Sequence, residues 1–152
     1  MVEAASANPS ERAYQALLPK AEHLPASHRR KWLYYKLFPN VAFDIYPDQV
    51  DFMQFLPVSA TETVIREISY ALPDDRREMK AARYLNWRIN RRVNAEDSEL
   101  ITRVQRGMAS ASYEPGPLGM SEVCLRSFAG KLRRMIPEAR LARPPAEWPR
   151  TN

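Results

Sequence analysis

A carboxylate in the middle of an apolar helical stripe is the residue of this chain best placed to do chemistry. From Arg76 to Ala109 the sequence has no proline and only Gly107 as a glycine. Over that stretch Met79, Ala82, Ile89, Val93, Leu100, Ile101, Val104 and Met108 recur at helical spacing. On one continuous helix Asp97 falls at the centre of this arc, about 40° from Val93 and Ile101 and about 20° from Val104 and Met108. A carboxylate there must be paired, hydrogen-bonded, protonated or bound to a metal. Asn86 and Asn90 share the stripe and Gln105 lies further along it, so Asn90, Ile101 and Gln105 are candidate pocket residues. The alternative is a break near Asn94-Ala95, with Asn94 capping a second helix; Asp97 is then an ordinary acid of a first turn.

The other reactive types give less. His23 and His28 are separated by Leu-Pro-Ala-Ser, a gap that iron and zinc sites use. Pro25 lies between them and no helical or strand period fixes both rings, so they read as exposed loop histidines. Cys124, between Val123 and Leu125, reads as a small buried side chain. One cysteine excludes an internal disulfide, and no Cys-rich zinc or iron–sulfur site can be built from this chain alone. Trp32 and Trp87 read as packing residues. There is no Gly-rich phosphate loop and no Gly-x-Ser-x-Gly, and two histidines are poor material for a Ser-His-Asp triad.

The elements that must position Asp97 follow from period and punctuation. After Pro39-Asn40, Val41–Tyr46 reads as a strand; Pro47-Asp48-Gln49 turns it into Val50–Leu56, and a third strand runs over Thr63–Ala71. In the third strand Val64, Arg66, Ile68 and Tyr70 share one face and Ile65, Glu67 and Ser69 the other. Three strands joined by turns form an antiparallel meander, which needs a helix or a second sheet over its apolar side. Asp74 and Asp75 mark the start of the long helical segment, which runs from about Asp75 to Ala109. Tyr113 to Met120 is a loop, and Val123 to Met135 is a last amphipathic helix ended by Pro137. A short helix is expected over Glu11–Lys20. The fold class is α+β, an antiparallel sheet packed on long helices. Residues 1–30 read as a flexible N-terminal segment with a frayed start, 31–137 as the domain, and 138–152 as a Pro-rich tail.

Composition limits the function classes. The 152 residues, 45% hydrophobic and 27% charged, suit one globular domain rather than a disordered chain. No run reaches the ~18 apolar residues of a membrane span, and Met1 to Arg12 lacks the pattern of a secretory signal; a cytoplasmic location is expected. The net charge is 23 − 18 = +5. Its basic residues are interleaved with acids, as on a solvated face, so nucleic acid is not an expected partner.

A set of ordered strings is familiar: Leu37-Phe38-Pro39-Asn40, Tyr46-Pro47-Asp48, Leu56-Pro57-Val58-Ser59, and Val93-Asn94-Ala95-Glu96-Asp97-Ser98-Glu99-Leu100 leading to Val104-Gln105-Arg106-Gly107-Met108. The Tyr113-Glu114-Pro115-Gly116-Pro117-Leu118 loop, Glu122 and Phe128 extend it. Together, over roughly Trp32 to Ile136, they resemble the C-terminal catalytic domain of Rieske non-haem iron aromatic-ring-hydroxylating oxygenase alpha subunits. The resemblance implies a helix-grip (START/Bet v 1-like) domain, here a partial one whose sheet has an exposed edge. It also implies a mononuclear Fe(II) held by two histidines and one carboxylate, the carboxylate matching Asp97. An aromatic or other small apolar substrate, an electron-transfer reductase or ferredoxin, and a homo-oligomer are the implied partners, in aromatic compound catabolism. Two departures stand out. The chain cannot supply the two Cys and two His of a [2Fe–2S] Rieske cluster, and His23 and His28 lie too close to Phe38-Pro39-Asn40 to match the family's iron histidines. The expectation is a C-terminal part of an alpha subunit with an incomplete iron site and no catalytic residue of its own, inactive alone. The competing reading is a non-catalytic small-molecule-binding or interaction module of the same fold. In both, Asp97 is expected to point inward, toward the concave side of the sheet.

Overall fold

In the computed structural model, which describes residues 8–141, the chain divides into two units that part after Tyr113. The frayed first residues and the tail with Pro144, Pro145 and Pro149 fall wholly or largely outside the described residues.

The first unit opens with helix α1, Pro9–Leu17. It starts two residues before the expected Glu11, because Asn8 accepts the Ser10 N–H at 2.9 Å and Pro9 stands at the first helical position. It stops at Leu17, ahead of Pro19, whose ring disfavours helix in the residue before it. The segment expected to be flexible therefore carries an anchored helix: Tyr14 is buried, and with Leu18, Ala82 and Ile89 it forms the core, flanked by Trp32 and Leu85.

Four strands follow: β1 Leu33–Leu37, β2 Val41–Ile45, β3 Val50–Pro57 and β4 Thr63–Tyr70. All pairs are antiparallel, in the order β1-β2-β3-β4. The three expected strands are present with ends moved by one residue. Tyr46 leaves β2 because its N–H closes the turn on the Gln49 carbonyl, at 2.9 Å. β1 is additional; Leu-Tyr-Tyr-Lys-Leu has neither a turn residue nor a clean alternation to mark it.

The register sorts the side chains. Tyr34, Asp44, Asp51 and Ser69 stand side by side on one face, with Ala42, Met53 and Glu67 in the next row and Phe55 beside Ile65 beyond. The other face is almost wholly apolar: Leu33, Tyr35, Leu37, Phe43, Phe52, Leu56, Val64, Ile68 and Tyr70 lie on it. The meander was expected to turn its apolar side to a helix. The helix lies instead over the more polar face, whose carboxylates are met by helix and turn side chains.

That helix, α2, runs unbroken from Arg77 to Met108. Its N-cap is Arg76 rather than Asp74 or Asp75. Asp74 accepts the Arg76 backbone N–H at 3.0 Å and pairs with its guanidinium, which holds the Asp74 carboxyl down at about 2. The break considered near Asn94 does not occur. The Asn94 carbonyl accepts the Ser98 hydroxyl at 2.6 Å, the Ser98 carbonyl accepts Thr102, and Arg92–Glu96 and Glu99–Arg103 ion pairs span the region. The first half of α2 buries Met79, Ala82, Asn86 and Ile89. From Arg91 onward every residue is exposed, including Val93, Leu100, Ile101, Val104 and Met108. As far as Ile101 an open groove separates the helix from the sheet, and beyond it length tells: 32 residues make a helix of about 48 Å, whereas an eight-residue strand reaches only about 27 Å.

The second unit holds α3, Val123–Met135, ended before Pro137 as expected. Cys124 is exposed on it, not buried, because the helix leaves that side to solvent.

Candidate functional site

A groove of about 710 Å³ lies between α2 and the sheet. Asn90, Asn94, Asp97 and Ile101, spaced 4, 3 and 4 residues apart, present one helix face to it. Opposite stand Tyr34 of β1, Asp44 of β2, Met53 and Phe55 of β3, and Ile65 and Glu67 of β4. Trp32, Tyr46 and Ile89 complete the apolar end. The volume is in the range of small-molecule sites, roughly 300–1,000 Å³.

A network of buried polar groups adjoins the groove and reaches its lining through Asp44, Tyr46 and Asn90. Asp48, Asp51 and Asn86 are almost fully buried. The Tyr14 hydroxyl donates to Asp48 at 2.5 Å, and the Asn86 amide donates to the same carboxylate at 3.3 Å. Gln49 donates to Asp51 at 2.7 Å, and the Asn90 amide lies 3.2 Å from Asp51, 3.1 Å from the Tyr46 hydroxyl and 2.9 Å from the Asn86 side-chain oxygen. The Tyr46 hydroxyl donates in turn to Asp44, at 3.3 Å. These donors are neutral, so they satisfy the carboxylates without cancelling their charge. Burial accordingly pushes the Asp48 carboxyl above its ordinary range, against the pull of Tyr14 and Asn86. Burial, with the charge of Asp51 added, raises Asp44; Glu67 rises by burial and by the charges of Asp51 and Asp44. Tyr14 and Tyr46 rise by burial and then by their carboxylate neighbours, which keeps both as hydrogen-bond donors at neutral pH.

The groove gathers three of the residues singled out in the sequence: Asn90, Asp97 and Ile101. Asp97 sits on its wall but is exposed, not turned away from water as expected, because an open groove separates α2 from the sheet at that point. Gln105 is not among the lining residues; it stands a further turn along, exposed. His23 lines a separate hollow of about 410 Å³ with Asp48, Asp74 and Arg83. His28 lines another, of about 250 Å³, with Leu24, Lys31 and Tyr46. The sequence reading missed Asp44, Asp48, Asp51 and Glu67. A partial signal was present: Asp44, Asp51 and Glu67 fall on the strand parity that carries fewer apolar residues, shared with Ala42, Met53, Phe55 and Ile65.

The first unit is thus a helix laid over an antiparallel sheet, with a groove between them and a carboxylate on the helix wall. A family model described as ring hydroxylating alpha subunit (catalytic domain) matches residues 1–138. The chain belongs to that family. No curated protein and no solved structure matches it significantly. Its α+β architecture agrees with the family's Bet v 1-like catalytic domain, and among the described residues no helix is long and apolar enough to cross a membrane.

Ring-hydroxylating oxygenases of this kind are generally iron-dependent, and the residues present do not by themselves fit an iron centre. A facial triad needs two histidines and a carboxylate converging on one point. Asp97 is a single carboxylate on the helix wall of the groove, and both histidines of the sequence line other hollows. Among the described residues no group of three or more His, Cys, Asp or Glu side chains is placed to hold a metal.

Proposed function

We propose that this ring-hydroxylating alpha-subunit domain supplies the substrate groove of an aromatic-ring-hydroxylating oxygenase, and that Asp97 is its single Fe(II) ligand. The observation that carries this reading is the place of Asp97 on the wall of a groove lined by Trp32, Tyr46, Phe55 and Ile101, in a chain of this family. The substrate class is a small aromatic or other apolar molecule, lying between Phe55 and Ile65 on the sheet and Ile101 on the helix, with Asn90 as a polar contact. The sequence has two histidines, neither at the groove, so the remaining iron ligands come from outside it. The same holds for the Rieske cluster that a reductase or ferredoxin would feed. On this reading the chain does not turn over alone, and it works in the cytoplasm as part of an aromatic-degrading system.

A second reading has its own support. A groove that carries Asp44, Glu67 and Asp97 but no histidine suits a non-catalytic module that binds small molecules. Titration with naphthalene, followed by tryptophan fluorescence, tests the part shared by both readings. Binding is expected for the parent chain and for Asp97→Asn, weakened at least tenfold by Ile101→Glu. No binding, or binding indifferent to Ile101, overturns the groove assignment. Dialysis against Fe(II) followed by metal analysis then separates the two. With an added partner that supplies histidines, iron retained by the parent but lost in Asp97→Asn supports the ligand role, and equal retention rejects it.

A further inference from the structure

The groove between α2 and the sheet carries a charge opposite to that of the chain. Lys and Arg outnumber Asp and Glu by 23 to 18 over the whole sequence. Among the described residues that line the groove, Glu11, Asp44, Glu67 and Asp97 are acids and none is Lys, Arg or His. Asp74, Asp75, Glu96 and Glu99 each hold an arginine or a lysine, and all four lie outside this lining. Two cations come near without entering it. Lys36 shares the groove face of the sheet but not the lining, and Arg91 lies over the Trp87 ring, 5.3 Å from its centre, beside a separate hollow.

The strand register makes this charge a cost to the fold. Asp44 of β2 stands directly opposite Asp51 of β3, and Glu67 of β4, opposite Met53, is the diagonal neighbour of Asp51 on the same face. Like charges directly opposite destabilise a strand pair. Asp51 is 1% exposed, and its partners Gln49 and Asn90 are neutral amides. Asp44 and Glu67 are raised first by burial and then by neighbouring acids, while the pulls downward come from neutral Tyr46 and Asn94. The sheet thus points an uncompensated negative field into the groove, which a cationic guest would relieve.

The rest of the lining says what kind of cation. Trp32, Tyr34, Tyr46 and Phe55 bring four aromatic rings to the same groove, with Ile65 and Ile101 on its opposite walls. Aromatic faces attract an ammonium group as well as covering an apolar body. Ionised carboxylates only accept hydrogen bonds, so the head group that satisfies them must donate. A bare metal ion would leave the rings unused, and among the described residues no three acids are placed to hold one.

We infer that the groove selects an organic ammonium: an aromatic or other apolar body carrying a protonated amine, whose N–H groups meet Asp44 and Glu67 on the sheet side. The inference rests on the groove being the binding site proposed above, and it leaves Asp97 to the helix wall. It narrows the ligand class by charge. A neutral aryl compound fills the apolar part alone, and an aryl carboxylate meets repulsion from the sheet.

Three probes with one aryl body separate charge from shape: naphthylmethylamine, a cation at neutral pH, naphthylmethanol, its neutral counterpart, and naphthoate, an anion. Calorimetric titration of the full chain in about 10 mM salt, where screening is weak, should show the amine bound at least ~10-fold more tightly than the alcohol, with naphthoate weakest. In about 1 M salt that advantage should shrink. Asp44→Asn and Glu67→Gln keep an oxygen for the Tyr46 hydroxyl and the Asn94 amide. Each should weaken the amine at least ~3-fold and leave the alcohol unchanged, so the alcohol reports that the groove is intact. Asp75→Asn, before the start of α2, should change neither. The comparison of probes on the parent chain needs no variant. An amine bound no more tightly than the alcohol, or less tightly than naphthoate, overturns the inference and leaves the groove reading standing. An advantage that survives both substitutions overturns the assignment to Asp44 and Glu67. Binding by none of the three removes the groove reading and this inference with it.

Discussion

Asn86 is fully buried, yet its amide donates to Asp48 and its oxygen lies 2.9 Å from the Asn90 amide. Removing it strips a donor from one buried carboxylate and an acceptor from the amide that serves Asp51. Asn86→Ala should therefore cost about 2–3 kcal/mol, the range for stranding buried polar partners, measured by urea denaturation. A loss below about 0.5 kcal/mol would mean that water replaces the asparagine. The carboxylates also set the pH dependence. Asp44, Asp48 and Glu67 are raised in the folded chain, so the native state holds more protons than the unfolded one above the ordinary carboxylate value of about 4. Their contribution to stability thus falls as pH rises from there. Asp74, lowered to about 2 by its bonds to Arg76, works the opposite way: its contribution is present above the ordinary value and fades as pH drops toward 2. From these groups the melting temperature should be highest near pH 4 and decline toward pH 7. Glu67→Gln removes one charge of the cluster while keeping an oxygen for the Asn94 amide, and should make that decline shallower. A curve that rises from pH 4 to 7 in both chains would show that the carboxylates are not desolvated as placed.

At the scale of the elements, Asp97 lies mid-helix, twenty residues past the start of α2 at Arg77. It is exposed, so it caps nothing and leaves no buried charge. Asp97→Asn should change stability by no more than about 0.5 kcal/mol, as an exposed substitution free of special contacts does. A clear drop in melting temperature would restore the capping role that a broken helix would give it. The meander, the long helical segment and the last helix were legible because turn residues and apolar period agreed in each. The unbroken helix was not, since Asn94 serves equally as a cap or as an interior residue until Glu67, 27 positions earlier, occupies its side chain. β1 escaped because its five residues fit no single period. Asp97, Asn90 and Ile101 were found from helical spacing alone. The acids facing them come from strands whose alternation was legible, but which face the helix would cover was not. That choice rests on Asn86 and Asn90 meeting Asp48 and Asp51 across the layers, and pairings at such sequence separation leave no local trace.

In the first unit as a whole, one helix is held in two different ways along its length. From Met79 to Ile89 it packs on α1 through Tyr14, Leu18, Ala82 and Ile89, and its asparagines reach the sheet. Beyond Asn94, whose amide touches Glu67 at 3.4 Å, no residue of α2 is buried, and the helix is sustained by ion pairs and hydroxyl bonds along its own surface. Exposed pairs of that kind contribute roughly 0.3–0.5 kcal/mol each, far less than packing. The groove accordingly has one firm end, at Trp32, Tyr46 and Asn90, and one compliant end, at Asp97 and Ile101. Hydrogen exchange should show this directly. Amides of Met79 to Asn90 should open only with the whole unit, whereas those of Ser98 to Met108 should exchange at least ~10-fold faster through local fraying. A small apolar molecule bound against Ile101 would bridge helix and sheet, so naphthalene should slow exchange around Ile101 and leave Met79 to Asn90 unchanged. Uniform protection along α2 in the free chain would mean that something covers its distal apolar face in solution, and the compliant end of the groove would then have no physical basis.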